Sequence, residues 1–201
     1  MSEWVRIEPD EIPWCILGPG DECYHMHGFI ARGGYGASDA NSLILNFKKK
    51  PNLKNTPQWK HKLKAVRQFA EDLSHELSDD SVVVFVPPSK TRDHDEFDDR
   101  FDLLAERLKH LLDDVVIEEP IVRKTSMKSA HDGGDKLNLT QTLATLRWVG
   151  FEGEVPDSIY LIDDVLTRGV SFKACKNMIL KRHPDVEIRG LFWGLTVHED
   201  E

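Results

Sequence analysis

Ser158-Ile-Tyr-Leu-Ile-Asp-Asp-Val-Leu-Thr-Arg-Gly-Val-Ser171 is the stretch that decides the fold. SIYLI (158–162) is an apolar strand that delivers two adjacent carboxylates, Asp163 and Asp164. A short turn with Thr167, Gly169 and Ser171 then enters a helix starting near Gly169. Each part has a physical use. Adjacent carboxylates accept hydrogen bonds from a pair of vicinal hydroxyls. Free amides at a helix start, ringed by small and hydroxyl side chains, cradle an anion. Gly169 permits close backbone approach to an oxyanion. A sugar phosphate satisfies both halves, its diol on the acids and its phosphate on the loop. Acid pairs at strand ends also hold Mg²⁺ in receiver domains, but there the pair usually follows the first strand rather than standing at position 163 of 201. The Walker A pattern is absent.

Outward from this stretch the pattern alternates. SVVVFV (81–86) is a continuous β-branched and aromatic run, typical of a strand buried on both faces, and Pro87-Pro88 ends it. Phe97, Phe101, Leu104, Leu108 and Leu111 form one helical stripe. VVIEE (115–119) is a short strand, and 186–197 is the last strand region. Upstream, ECYHMHGFI (22–30) reads as a strand with His25 and His27 on one face and Tyr24 and Met26 on the other. Ser38 or Asp39 caps a helix that ends in Lys48, Lys49 and Lys50, cations suited to its negative end. Thr56 as cap and Pro57 at the first position predict a second helix, with Trp59, Leu63, Val66, Phe69, Ala70, Leu73 and Leu77 on its apolar face. Strands alternating with helices imply an α/β fold with a mostly parallel sheet. Ligands of such folds bind at the carboxyl ends of the strands. PPSKTR and DDVLTRGVS both stand there.

Composition narrows the classes. With 40% apolar and 30% charged residues, the chain is neither disordered nor collagen-like. No apolar run approaches the roughly 20 residues that span a bilayer, and the N-terminus reads as lacking a signal. The expectation is a soluble, cytoplasmic protein without a membrane partner. Cys15, Cys23 and Cys175 are too few and odd for a disulfide framework. Cys15 and Cys23 with His25 and His27 give C-x7-C-x-H-x-H, which matches no common zinc spacing, so buried cysteines stand beside a metal site as readings.

Charge is unevenly placed within a net of −9. Residues 41–70 carry eight Lys/Arg and no acid, whereas 71–119 carry sixteen Asp/Glu against five Lys/Arg. An acidic protein is a poor general nucleic-acid binder. The run 48–67 still offers a local contact to nucleic acid, or else a solvated helix face.

LIDDVLTRGVS (161–171) resembles the phosphoribosyl-pyrophosphate (PRPP) loop of type I phosphoribosyltransferases, with an apolar run, two acids and a Thr-Thr-Gly-Ala-Thr-like turn. Arg168, Val170 and Ser171 depart from that turn. NSLILNFKKK, VVVFVPPSKTR and IVRKTSMKSAHDGGDKLN make the chain most similar to the ComF-like, competence-associated branch. That branch's Arg-Gly-Phe-Asn motif is replaced by the acidic HDEFDDRFD, and its four-cysteine zinc ribbon is missing.

The resemblance implies one type I phosphoribosyltransferase-like α/β domain over 1–201, with an N-terminal strand and helix extension (1–80) and a core (81–201). The implied central sheet is mostly parallel and flanked by helices. It implies transfer of 5-phosphoribosyl from PRPP to a nitrogen nucleophile, a base or amine, with release of pyrophosphate. Asp163 and Asp164 would be catalytic, holding the ribose hydroxyls. Leu166, Thr167, Arg168, Gly169, Val170 and Ser171 would bind the 5′-phosphate, and Ser89, Lys90 and Arg92 the pyrophosphate. Arg123, Lys124 and Lys128 would belong to a covering lid, in which His131 is a candidate base. Mg²⁺ would be bound mainly through PRPP, with no direct protein ligand. A homodimer is expected by base rate. Two other classes stand beside the transferase: a non-catalytic PRPP or nucleotide-binding regulator, and a nucleic-acid-associated protein on the same fold.

Overall fold

The central sheet is built by six strands in the order β1-β2-β8-β7-β3-β4. They are β1 (Val5–Arg6), β2 (Glu22–Ile30), β3 (Val82–Phe85), β4 (Val116–Glu118), β7 (Ser158–Leu166) and β8 (Glu187–Val197). Only the edge strand β1 is antiparallel; all other pairs are parallel. The computed structural model describes residues 3–127 and 138–198. Lys128 and His131, expected in a covering segment, lie outside the described residues.

Helices cover both faces. On one lie α1 (Asp39–Phe47), α2 (Trp59–Ser74) and α3 (Arg100–Leu108); on the other lies α5 (Val170–Leu180). The β-branched runs explain this. Val83 and Ile162 join the core under α1–α3, and their neighbours Val84 and Leu161 join the core under α5. Consecutive apolar residues thus fill both faces, as a parallel sheet demands. In the first core the Trp193 and Phe69 rings stack at 4.5 Å, and Trp193 Nε1 donates to Asp72 Oδ2 at 2.7 Å. A second, two-stranded antiparallel sheet pairs β5 (Ile121–Arg123) with β6 (Leu146–Trp148). The short α4 (Leu139–Ala144), between them in sequence, starts with a capping box of Asn138 and Gln141.

Several sequence expectations shift. Ser38 caps α1 as predicted, its Oγ accepting from Asn41 N at 2.9 Å. Thr56 does not cap α2. Its hydroxyl turns back to donate to the Leu53 carbonyl at 2.8 Å, and the helix starts at Trp59; Leu63, expected on its apolar face, is exposed. Phe97 and Leu111 fall outside α3. β7 runs past the acids to Leu166 because β8 continues alongside, with Val165 opposite Gly194 and Leu166 opposite Leu195.

Candidate functional site

The connections reverse direction between β3 and β7, for β3 leads on to β4 on one side and β7 to β8 on the other. A crevice forms outside the carboxyl ends at such a point, and ligands of open α/β sheets bind there. The two loops singled out in the sequence leave from these two neighbouring strands. Val86, at the start of the first loop, donates its amide to the Ile162 carbonyl at 2.9 Å, directly before Asp163.

The acids lie within β7 and are unequal. Asp164 is buried, with 3% of its surface exposed, whereas Asp163 is partly exposed. Two acids exposed past a strand end were expected; the longer β7 and the cations packed over Asp164 are why the structure differs. Lys48 Nζ donates to Asp164 Oδ1 at 3.1 Å. Arg100 Nη2 sits 2.9 Å from Oδ2, an ion pair lying off the line of a good hydrogen bond. Asp163 makes no ion pair among the described residues; its Oδ1 accepts the Asp164 amide at 2.8 Å. Burial pushes the Asp163 carboxyl up, and the charge of Asp164 adds to that, with Arg100 only partly offsetting. Burial acts upward on Asp164 too, but Arg100 and Lys48 outweigh it and hold that carboxyl below its ordinary value. The pair therefore holds its proton on Asp163 first.

The cations belong to a larger lattice. Arg100 Nη1 donates to Asp98 Oδ2 at 3.1 Å, and Lys62 Nζ donates to Asp98 Oδ1 at 2.5 Å. Lys50 pairs with Glu96 at 2.8 Å and Lys54 with Asp99 at 3.5 Å. The basic run and the acidic run seen in the sequence are partners across the site. Of the eight cations expected to offer nucleic acid a contact through 48–67, Lys48, Lys50, Lys54 and Lys62 are held by acids. Sequence reading missed Lys48, Lys62, Asp98 and Arg100. The signal was there in two runs of opposite sign, whose pairing only the fold reveals.

The loop after β7 is shorter than expected, since Leu166 ends the strand and Val170 and Ser171 already belong to α5. Leu166 is buried, Thr167 is exposed, and Arg168 and Ser171 are half-buried. Gly169 takes φ +74, and a Cβ there would lie 2.9 Å from Cys15 Sγ, so only glycine fits. Val170 opens α5 directly after it. The segment around Cys15 packs on this loop, and Ile16 N donates to the Arg168 carbonyl at 3.0 Å.

The loop after β3 is more heavily engaged. Ser89 is exposed, and its carbonyl accepts the Met127 amide at 2.7 Å. Lys90 pairs with Glu96 at 3.6 Å. Arg92 reaches Asp102 at 3.1 Å and also Glu119. A pocket of about 390 Å³ opens beside this loop between α3 and the β5–β6 hairpin, with Phe85, Phe97, Phe101, Arg92 and Arg147 among its walls. Neither Asp163 nor Asp164 is among its walls. Lys124 lines the same pocket and is exposed. Arg123 is not available for a lid. It is buried and donates to the Pro87 and Pro88 carbonyls at 2.8 Å each, holding the Pro-Pro turn.

The Cys/His stretch does not converge on a metal. Cys23 lies against Gly190 and Phe172 on the α5 face, whereas His27 faces Asp72 and Trp193 on the α2 face, as Met26 does. His25 and His27 were expected on one face, but His27 packs beside Asp72 and Trp193 on the same side as Met26, where the β2–β8 pairing skips Met26 without a change of register. Among the described residues, no group of three or more His, Cys, Asp or Glu side chains could hold a metal ion. Nor is any helix among them long and apolar enough to cross a membrane.

No protein-family model matches the chain, and no curated protein matches it in sequence. Solved structures similar to it include a hypoxanthine phosphoribosyltransferase from Staphylococcus aureus, 9% identical, with a TM-score of 0.41, covering 69% of this chain and 73% of that one. An adenine phosphoribosyltransferase from Leishmania donovani is 12% identical, with a TM-score of 0.34, covering 89% and 85% respectively. The adenine phosphoribosyltransferase of Leishmania tarentolae is 14% identical, with a TM-score of 0.35, covering 94% of each chain.

Proposed function

We propose that the chain is a cytoplasmic, PRPP-dependent phosphoribosyltransferase that transfers 5-phosphoribosyl to a base or amine and releases pyrophosphate. One observation carries the reading. The acid pair stands at the sheet's reversal point, flanked by a glycine turn entering a helix on its own strand and by a cationic loop on the next. Asp163, partly exposed, receives the ribose hydroxyls. Asp164 joins it as Lys48, 37% exposed along its side chain, moves from the carboxylate to a phosphate. Thr167, Ser171 and the first amides of α5 hold the 5′-phosphate. Lys90, with Arg92 beside it, balances the leaving pyrophosphate. The reacting carbon gains cationic character as that bond breaks, and the fixed negative charge at β7 stabilises it.

Mg²⁺ fits this site in one way. It prefers hard oxygens and keeps several waters. Both Asp164 oxygens lie within 3.1 Å of cationic nitrogens, so no protein cage is offered. The ion would travel on the pyrophosphate of PRPP, where it neutralises leaving-group charge.

A second reading has its own observation. The ion pairs that close over Asp164 favour a non-catalytic PRPP or nucleotide-binding regulator on the same fold. Calorimetric titration of PRPP with Mg²⁺ into the protein tests the shared part. Saturable binding in the micromolar range is expected, and no binding overturns both readings. Pyrophosphate release, screened across bases and amines, then separates transferase from regulator.

A further inference from the structure

Lys62 on α2 is a lysine with a fully buried side chain. A buried ammonium is costly unless its donors are all used. Here they are spent on two partners that lead to the same place. Nζ donates to Asp98 Oδ1 at 2.5 Å and to the Lys49 carbonyl at 2.8 Å, and it lies over the Trp59 ring at 5.2 Å. Asp98 in turn grips Arg100 twice, accepting Nη1 on Oδ2 and the backbone amide on Oδ1, each at 3.1 Å. Arg100 is one counter-ion of Asp164. Lys48, the other, precedes Lys49 in the chain. Lys62 itself makes no bond to Asp163 or Asp164.

We propose that Lys62 is the positioning residue of the acid pair: one buried ammonium fixes both cations that hold Asp164, Arg100 through Asp98 and Lys48 through the Lys49 carbonyl. The inference rests on reading the acid pair as the ligand site. Its consequence is electrostatic. The charged groups facing the pair are Lys48 after α1 and Arg100 within α3, with Lys62 on α2 and Asp98 before α3 behind them. From the opposite face come Arg123 on β5 and the Cys175 thiol on α5. Without Lys62, Arg100 and Lys48 lose their fixed places and Asp164 loses its counter-charge. The pair then holds its proton to higher pH.

The test uses the whole chain. Carboxyl-carbon NMR follows the titration of Asp163 and Asp164 in wild type, in Lys62→Met, and in Lys62→Met/Asp98→Leu, which leaves no buried charge orphaned. Both variants should raise the apparent pKa of the pair by about one unit. PRPP–Mg²⁺ affinity at pH 7.5 should fall about tenfold, as expected for loss of a charge-positioning contact. Lys60→Met, at an exposed site on the same helix, should change neither. An unmoved titration in a folded variant overturns the inference. So does unfolding of both variants, because the fold rather than the site would then hang on Lys62. If wild type fails to bind PRPP but the titration moves, the functional reading falls and the positioning role stands. Binding with an unmoved titration is the reverse.

Discussion

Asp21 and Asp164 lie on opposite faces of the central sheet, each buried between two cations. Asp21 accepts Lys173 at 2.7 Å on one oxygen and pairs with Lys176 at 2.9 Å on the other, and the Gly18 amide adds a bond of 2.8 Å. The acid next to it, Glu22, has a cation of its own, Arg189 Nε at 3.0 Å. Burial works against the charge of Asp21, but the two lysines and the amide outweigh burial and hold its carboxyl below the ordinary value. Asp164 has a similar pair of cations, yet it stands beside Asp163, whose carboxyl is driven the other way. The α5 face thus holds a closed structural knot. At β7 the cations of the α1–α3 face satisfy Asp164 alone, and Asp163, partly exposed on the other side of the strand, is left without an ion pair among the described residues. A buried aspartate is a weak sign of a site; an unpaired neighbour beside it is a stronger one.

The largest expected effect breaks the structural side of this contrast. Asp21→Ala leaves two half-buried ammonium groups facing each other and should cost about 3 kcal/mol in urea unfolding at pH 7. A loss below about 1 kcal/mol, the scale of an exposed pair, would mean that the knot is no structural lock. Next, Asp163→Asn should act with the opposite sign. Its folded pKa is raised, so folding takes up a proton between the unfolded value near 4 and the higher folded one. Stability falls as pH rises through that window, and the substitution removes the fall. The variant should gain at least about 1 kcal/mol at pH 8 and nothing at pH 4. Asp21, with its lowered pKa, contributes stability that is kept above the unfolded value and lost as pH falls through the folded one. Opposite pH slopes in the two variants are the signature of the contrast.

The same contrast marks how far sequence reading reaches. The strands 22–30 and 81–86, the helix capped at Ser38 and the start of α5 at Gly169 were legible because period, capping and glycine chemistry are local. So was the meeting of the two loops, since alternating strands and helices imply carboxyl-end sites. Three things were not legible. His27 faces α2 on the same side as Met26, where the β2–β8 pairing skips a residue, and no alternation rule contains that. The burial of Asp164 depends on Lys48 and Arg100, which are 116 and 64 residues away in sequence. Arg123 read as a lid cation because a cation before a glycine-rich stretch resembles one. Only the fold shows Pro87 and Pro88 presenting it with carbonyls.

The smallest effect sharpens the contrast from inside the lattice of lysines and acids. Lys54 and Asp99 extend the same pairing of basic and acidic runs, but at 3.5 Å and with the Lys54 side chain 61% exposed. In water a pair so placed is screened and spends side-chain entropy to hold its geometry. Lys54→Ala should therefore cost no more than about 0.5 kcal/mol, and that should vanish in 1 M salt, where the Debye length is about 3 Å. Lys62→Met/Asp98→Leu, one layer deeper, should keep its effect on the Asp163–Asp164 titration at the same salt, because buried pairs are screened far less. If the salt response of the two variants is alike, depth does not organise the lattice. The acid pair would then be tuned by the summed charge of the surface, not by the buried ammonium beneath it.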